Sequence, residues 1–138
     1  MPKKFAIVVG QFHKAHGEAM VDEAQKAATE FGLEVAEIVW VHGSLEKPLA
    51  LKRLLVRDDI DGAIALGIIE KGETSHGLVM GHAVTSAIIA LEIDLMKPIG
   101  VGILGPDIQP SQIPARVRPY AREAVVALSM MLGGKDLR

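Results

Sequence analysis

Residues 62–76 read Gly62-Ala-Ile-Ala-Leu-Gly-Ile-Ile-Glu-Lys-Gly-Glu-Thr-Ser-His76, an apolar run that passes through a polar, glycine-rich turn. The first part, Gly62 to Leu66, is a short apolar run bounded by glycine, the pattern of a strand buried on both faces. The part from Gly67 to Ser75 is glycine-rich and polar, and it opens into the longest stretch of helical periodicity in the chain, Ser75 to about Leu95. A buried strand that passes through a glycine loop into a helix is half of a parallel crossover unit.

The same alternation recurs on both sides. Phe5 to Val9, Val35 to Val41 and Ile99 to Leu104 are further apolar runs rich in β-branched residues. Helical periodicity spans about Gly17 to Phe31, where Met20, Ala24, Ala27 and Phe31 recur at three- and four-residue steps before the capping Gly32. Further helices are expected from Leu45 to Arg57 and from Gln109 to Gly133-Gly134, the last broken or kinked at Pro119. Strands that alternate with helices along the whole length predict a parallel sheet covered on both faces. The expected fold is α/β, a flavodoxin-like three-layer αβα sandwich around a central four-stranded parallel sheet, with residues 1–138 as a single domain.

Composition narrows the function. A chain of 138 residues is the size of one domain, and 49% apolar against 23% charged residues is an excess that points to subunit contacts. A formal net charge of −2 without blocks of like charge disfavours nucleic acid and anionic membranes as partners. The apolar run after Met1-Pro-Lys-Lys is too short for a signal peptide, and the stretches Ala83 to Leu91 and Ala124 to Leu132 fall short of a membrane span, so a cytoplasmic protein is expected. Cysteine is absent, which removes disulfides, thiolate metal sites and a cysteine nucleophile. Asparagine is absent too, in keeping with a heat-adapted source.

In doubly wound sheets ligands bind outside the carboxyl ends of the strands. The loops to inspect are therefore Gly10 to His16, His42 to Glu46, Gly67 to Ser75 and Gly105 to Gln112, and the polar and glycine clusters fall there. The third loop has the glycine spacing of a P-loop, but Glu73 occupies the lysine position and would repel nucleotide phosphates. A glycine turn with Thr74 at a helix start still suits one phosphate monoester, although Thr74 or Ser75 as a plain helix cap explains it equally well. His76, in the first turn of that helix, is either a general acid/base or a surface histidine without a task. His82 lies too far round the helix to share a metal with His76, and His13, His16 and His42 show no ligand spacing, so no metal is expected. Ser44 and Glu46 either cap the second helix or offer acceptors to a polyhydroxylated ligand. Phe12, an aromatic in a polar loop, suits a stacking platform for a planar ring. Arg116 and Arg122 are helix charges by default, placed far from these loops if the chain acts alone, yet arginine is the preferred fork for phosphate.

Phe12 after the first strand, Gly43-Ser44-Leu45-Glu46 before the second helix and Gly72-Glu73-Thr74-Ser75-His76 before the third together resemble the lumazine synthase family. The resemblance covers essentially the full chain, including Gly105-Pro106 and Arg116, and Gly-Glu-Thr-x-His at a helix head is its most specific part. It implies condensation of 5-amino-6-ribitylaminouracil with 3,4-dihydroxy-2-butanone 4-phosphate to 6,7-dimethyl-8-ribityllumazine, without cofactor or metal. Carried over, Phe12 stacks on the pyrimidine, and Ser44, Leu45 and Glu46 bind the ribityl chain and ring. Backbone groups of Ile68, Ile69 and Glu70 line the ring pocket, Glu73 and Thr74 hold the butanone phosphate, and His76 moves protons. Arg116 reaches that phosphate from a neighbouring subunit, Val101 is a further substrate-binding position, and Arg122 is a second arginine available to phosphate or ribityl.

Four positions depart from the family pattern: His13 replaces a common Asn, His42 a Pro, Leu45 an aromatic, and Val101 an aromatic. All four concern the pyrimidine rather than the phosphate. An inactive lumazine- or flavin-binding shell protein and a riboflavin synthase of the same architecture are the alternatives; the phosphate loop and His76 favour the lumazine reaction. The resemblance also implies homopentamers, alone or as twelve in a sixty-subunit icosahedral shell. The short connection Val117-Arg118-Pro119-Tyr120 leaves that shell sterically open.

Overall fold

In the computed structural model, which describes residues 2–133, strands and helices alternate along the chain: β1 (Lys4–Gly10), α1 (Lys14–Glu30), β2 (Glu34–Val41), α2 (Lys47–Leu55), β3 (Gly62–Glu70), α3 (His76–Leu95), β4 (Ile99–Ile108) and α4 (Val117–Met131). Short 3-10 turns at Ser44–Glu46 and Pro110–Gln112 precede α2 and α4. All strand pairs are parallel and the sheet order is β2-β1-β3-β4, as expected for the flavodoxin-like sandwich. The period-2 alternation of β1 sorts its side chains between two cores. Phe5, Ile7 and Val9 face α1 and α4, packing with Met20, Ala24, Ala124 and Leu128. Ala6 and Val8 face α2 and α3, packing with Leu51, Leu55 and Ile88. Gly100 on β4 lets α4 approach the sheet directly, since a Cβ there would collide with the Ala124 carbonyl.

The strand order reverses between β1 and β3, so the loops after these two strands flank the crevice where such sheets bind ligands. Four boundaries differ from the sequence expectation. β3 runs on through Gly67, Ile68 and Ile69 to Glu70 because β4 pairs with it that far, so the P-loop-like spacing is no loop and the true connection is residues 71–75. β4 likewise continues to Ile108, through positions expected in a loop. α1 begins at Lys14, before Gly17, because His13 turns the chain in the left-handed region at φ 56°. Pro119 does not break α4: it sits in the first turn, where its missing N–H would have had no helical partner. The interruption falls earlier, at residues 113–116 around Pro114. Gly133 follows α4 with φ 88°, and Gly134 lies outside the described residues.

Candidate active site

A cleft of about 230 Å³ opens at the switch point, lined by Phe12, His42, Ser44, Lys47, Ile68 and Met80. Phe12 is 56% exposed, and its ring meets the His13 ring edge-on with centroids 4.4 Å apart. A large apolar face held open to solvent beside a cleft is placed to stack on a planar ring. Ser44, by contrast, is buried, and its Oγ accepts a hydrogen bond from Lys47 Nζ at 3.0 Å.

Leu45 and Glu46 diverge from Ser44. Both line a separate groove of about 460 Å³ along Val39, Val41 and Leu49 at the edge strand β2. That groove is larger, but it lies away from the switch point. The Glu46 carboxylate accepts the Gly43 N–H at 2.8 Å, so within one chain Glu46 serves as a cap on the turn. Ile68 and Ile69 are buried side chains of β3, and of the two only Ile68 reaches the cleft. Glu70, at the end of β3, places its carboxylate Oε2 2.5 Å from Nε2 of His13, tying the first loop to the third strand.

Glu73 and Thr74, expected to hold the phosphate, are exposed, as is His76 at the first position of α3. Thr74 Oγ1 accepts the His76 N–H at 3.3 Å, so Thr74, rather than Ser75, caps the helix. Val101 sits mid-strand on β4 opposite Ala65, 42% exposed and outside the cleft. Arg116 stands at the head of α4 with its Nη1 on the Gln112 carbonyl at 2.9 Å, also outside the cleft. Arg122, the second arginine expected at phosphate or ribityl, pairs within the chain with Glu30 in the last turn of α1, lies 5.9 Å over the Phe31 ring and does not line the cleft. Its hydrogen bond holds the Glu30 carboxyl below the ordinary carboxylate range. Among the described residues no group of three His, Asp or Glu is arranged to hold a metal ion.

Lys47 is the site residue that the sequence reading missed. It is 1% exposed, and burial lowers its ammonium to about 8 against the opposing pull of the Glu46 charge. Gly10 and Gly67 make the room: a Cβ at Gly10 would stand 3.4 Å from Nζ, and one at Gly67 would overlap it. The signal was present, because Lys47 precedes the buried Leu51 and Leu54 by four and seven residues and so falls on the inward stripe of α2. The pairing of His13 with Glu70 had no such signal, since 57 positions separate them.

A family model described as 6,7-dimethyl-8-ribityllumazine synthase matches residues 2–135. Three relatives that carry that name are similar over most of their length. The one from Staphylothermus marinus is 36% identical over 94% of this chain and 86% of its own. The one from Metallosphaera sedula is 38% identical over 88% and 81%. The one from Methanopyrus kandleri is 37% identical over 94% and 91%.

Proposed function

The chain belongs to the 6,7-dimethyl-8-ribityllumazine synthase family, and from that membership we propose how its switch-point crevice carries out the family reaction. The reaction condenses 5-amino-6-ribitylaminouracil with 3,4-dihydroxy-2-butanone 4-phosphate in riboflavin biosynthesis, releasing phosphate and water. The observation that carries the assignment to this crevice is the exposed Phe12 ring standing over a cleft with buried polar groups at its floor. Phe12 stacks on the pyrimidine, and Ser44 holds the ribityl side. Glu73 and Thr74 at the head of α3 receive the phosphate, and His76 transfers protons during imine formation and phosphate loss. Holding two reactants in one orientation supplies much of the acceleration, and no cofactor is needed.

The reading includes a site shared between subunits, with Arg116 and the edge-groove residues Leu45 and Glu46 serving a neighbour's cleft. Two features support it. Arg116 lies outside the cleft of its own chain. α3 is also long and apolar enough to cross a membrane by length and composition, beyond the sequence expectation, yet it buries only Gly81, Val84, Ile88 and Leu91. Its remaining apolar face, interrupted by Glu92 and Asp94, suits contact with copies of this chain in a homopentamer, free or within an icosahedral shell. We place the enzyme in the cytoplasm. The test is to mix purified protein with both substrates and follow lumazine fluorescence: product above the uncatalysed rate is expected, and its absence overturns the reading.

A further inference from the structure

Among the described residues, Lys47 is the only charged side chain that is buried. A cation withdrawn from water is costly unless an acceptor of matching strength faces it. The acceptor in place is the neutral Ser44 Oγ at 3.0 Å, which takes one of the three ammonium N–H groups. The carboxylate that acts on it, Glu46, is engaged with the Gly43 N–H at 2.8 Å and reaches Lys47 only through space. Gly10 and Gly67 leave the ammonium room where β1 and β3 diverge, and Lys47 lines the same cleft as Phe12. A buried cation short of strong acceptors at the floor of an open cleft calls for ligand oxygen.

We propose that Lys47 Nζ donates a hydrogen bond to a ring carbonyl oxygen of the pyrimidinedione stacked on Phe12, so that Lys47 selects an oxo-substituted ring. The inference rests on the reading of this cleft as the pyrimidine subsite. The carbonyls of a dioxopyrimidine are strong acceptors and carry more negative charge as the ring loses a proton, so both states are held by a fixed ammonium. The role is one of binding and orientation, since no bond to Lys47 forms or breaks.

The test uses the complete protein and two variants, Lys47→Met, which keeps length and loses the donor, and Lys47→Gln, which keeps an N–H. The probe is 5-nitro-6-ribitylaminouracil, which cannot condense because it lacks the amine, titrated by calorimetry alongside steady-state kinetics. Lys47→Met is expected to bind the probe 10- to 100-fold more weakly, the scale of a charged hydrogen bond, while KM for the butanone phosphate stays unchanged. Lys47→Gln should fall between the two. A purely structural role would move both KM values together. Equal probe affinity in folded Lys47→Met overturns the proposal, even in a chain whose wild type condenses both substrates. Wild-type protein that binds no probe overturns the proposal and the subsite reading together.

Discussion

Lys47 has a consequence for stability that is separate from binding. Its ammonium is lowered to about 8 in the folded chain from an ordinary value of 10.5. Between these two pH values the unfolded chain binds more protons than the folded one, so stability rises with pH across that window; below it both states carry the ammonium and the full cost of burying it is present. The rise amounts to about 3 kcal/mol at most. Urea unfolding at pH 7 and pH 10 should show it in the wild type and a smaller rise in Lys47→Met; equal rises in both would contradict the burial argument. His76 and Arg116 are separable by kinetics. His76→Ala should lower kcat about 10- to 100-fold and leave KM values near wild type, because orientation survives the loss of the proton carrier. Full activity in that variant removes His76 from the mechanism. Arg116→Ala should raise KM for the butanone phosphate about tenfold or more and spare the pyrimidine; two unchanged KM values would end its assignment.

The elements were largely legible because four apolar runs and their intervening helical stripes are strong periodic signals. Their ends were less so. Gly67 reads as punctuation in sequence, yet in space it is a strand residue that makes way for Lys47. Pro119 reads as a breaker, and only the cap position at Arg116 reveals that it falls in a tolerated first turn. α3 shows the limit of periodicity: it is apolar nearly all round, so its buried and outward faces cannot be told apart from the sequence. Val79 and Ile93 are 64% and 67% exposed on it. Replacing both with Asp should leave the chain folded by circular dichroism but dissociate it in sedimentation experiments, because charges on a packed apolar interface are costly. A double variant that sediments as the wild type does would take α3 out of the interface.

Across the whole chain, the rule that ligands bind at the switch point singled out these loops before any motif was weighed, and Phe12 and Ser44 do share one cleft there. The chain alone leaves Leu45, Glu46, Val101 and Arg116 outside that cleft, a division that local spacing cannot reveal because it depends on how distant elements pack. Sedimentation velocity of the wild type should therefore show pentamers or larger assemblies; a fully active monomer at micromolar concentration contradicts the shared site. We infer that this crevice builds the lumazine ring. This is tested most directly by the rate at which purified wild type and Phe12→Ala convert the two substrates into fluorescent lumazine. The wild type should form product, and Phe12→Ala should show a KM for the pyrimidine about tenfold higher, the order of one lost stacking contact. A wild type that makes no lumazine, or a variant with unchanged KM for the pyrimidine, would contradict it.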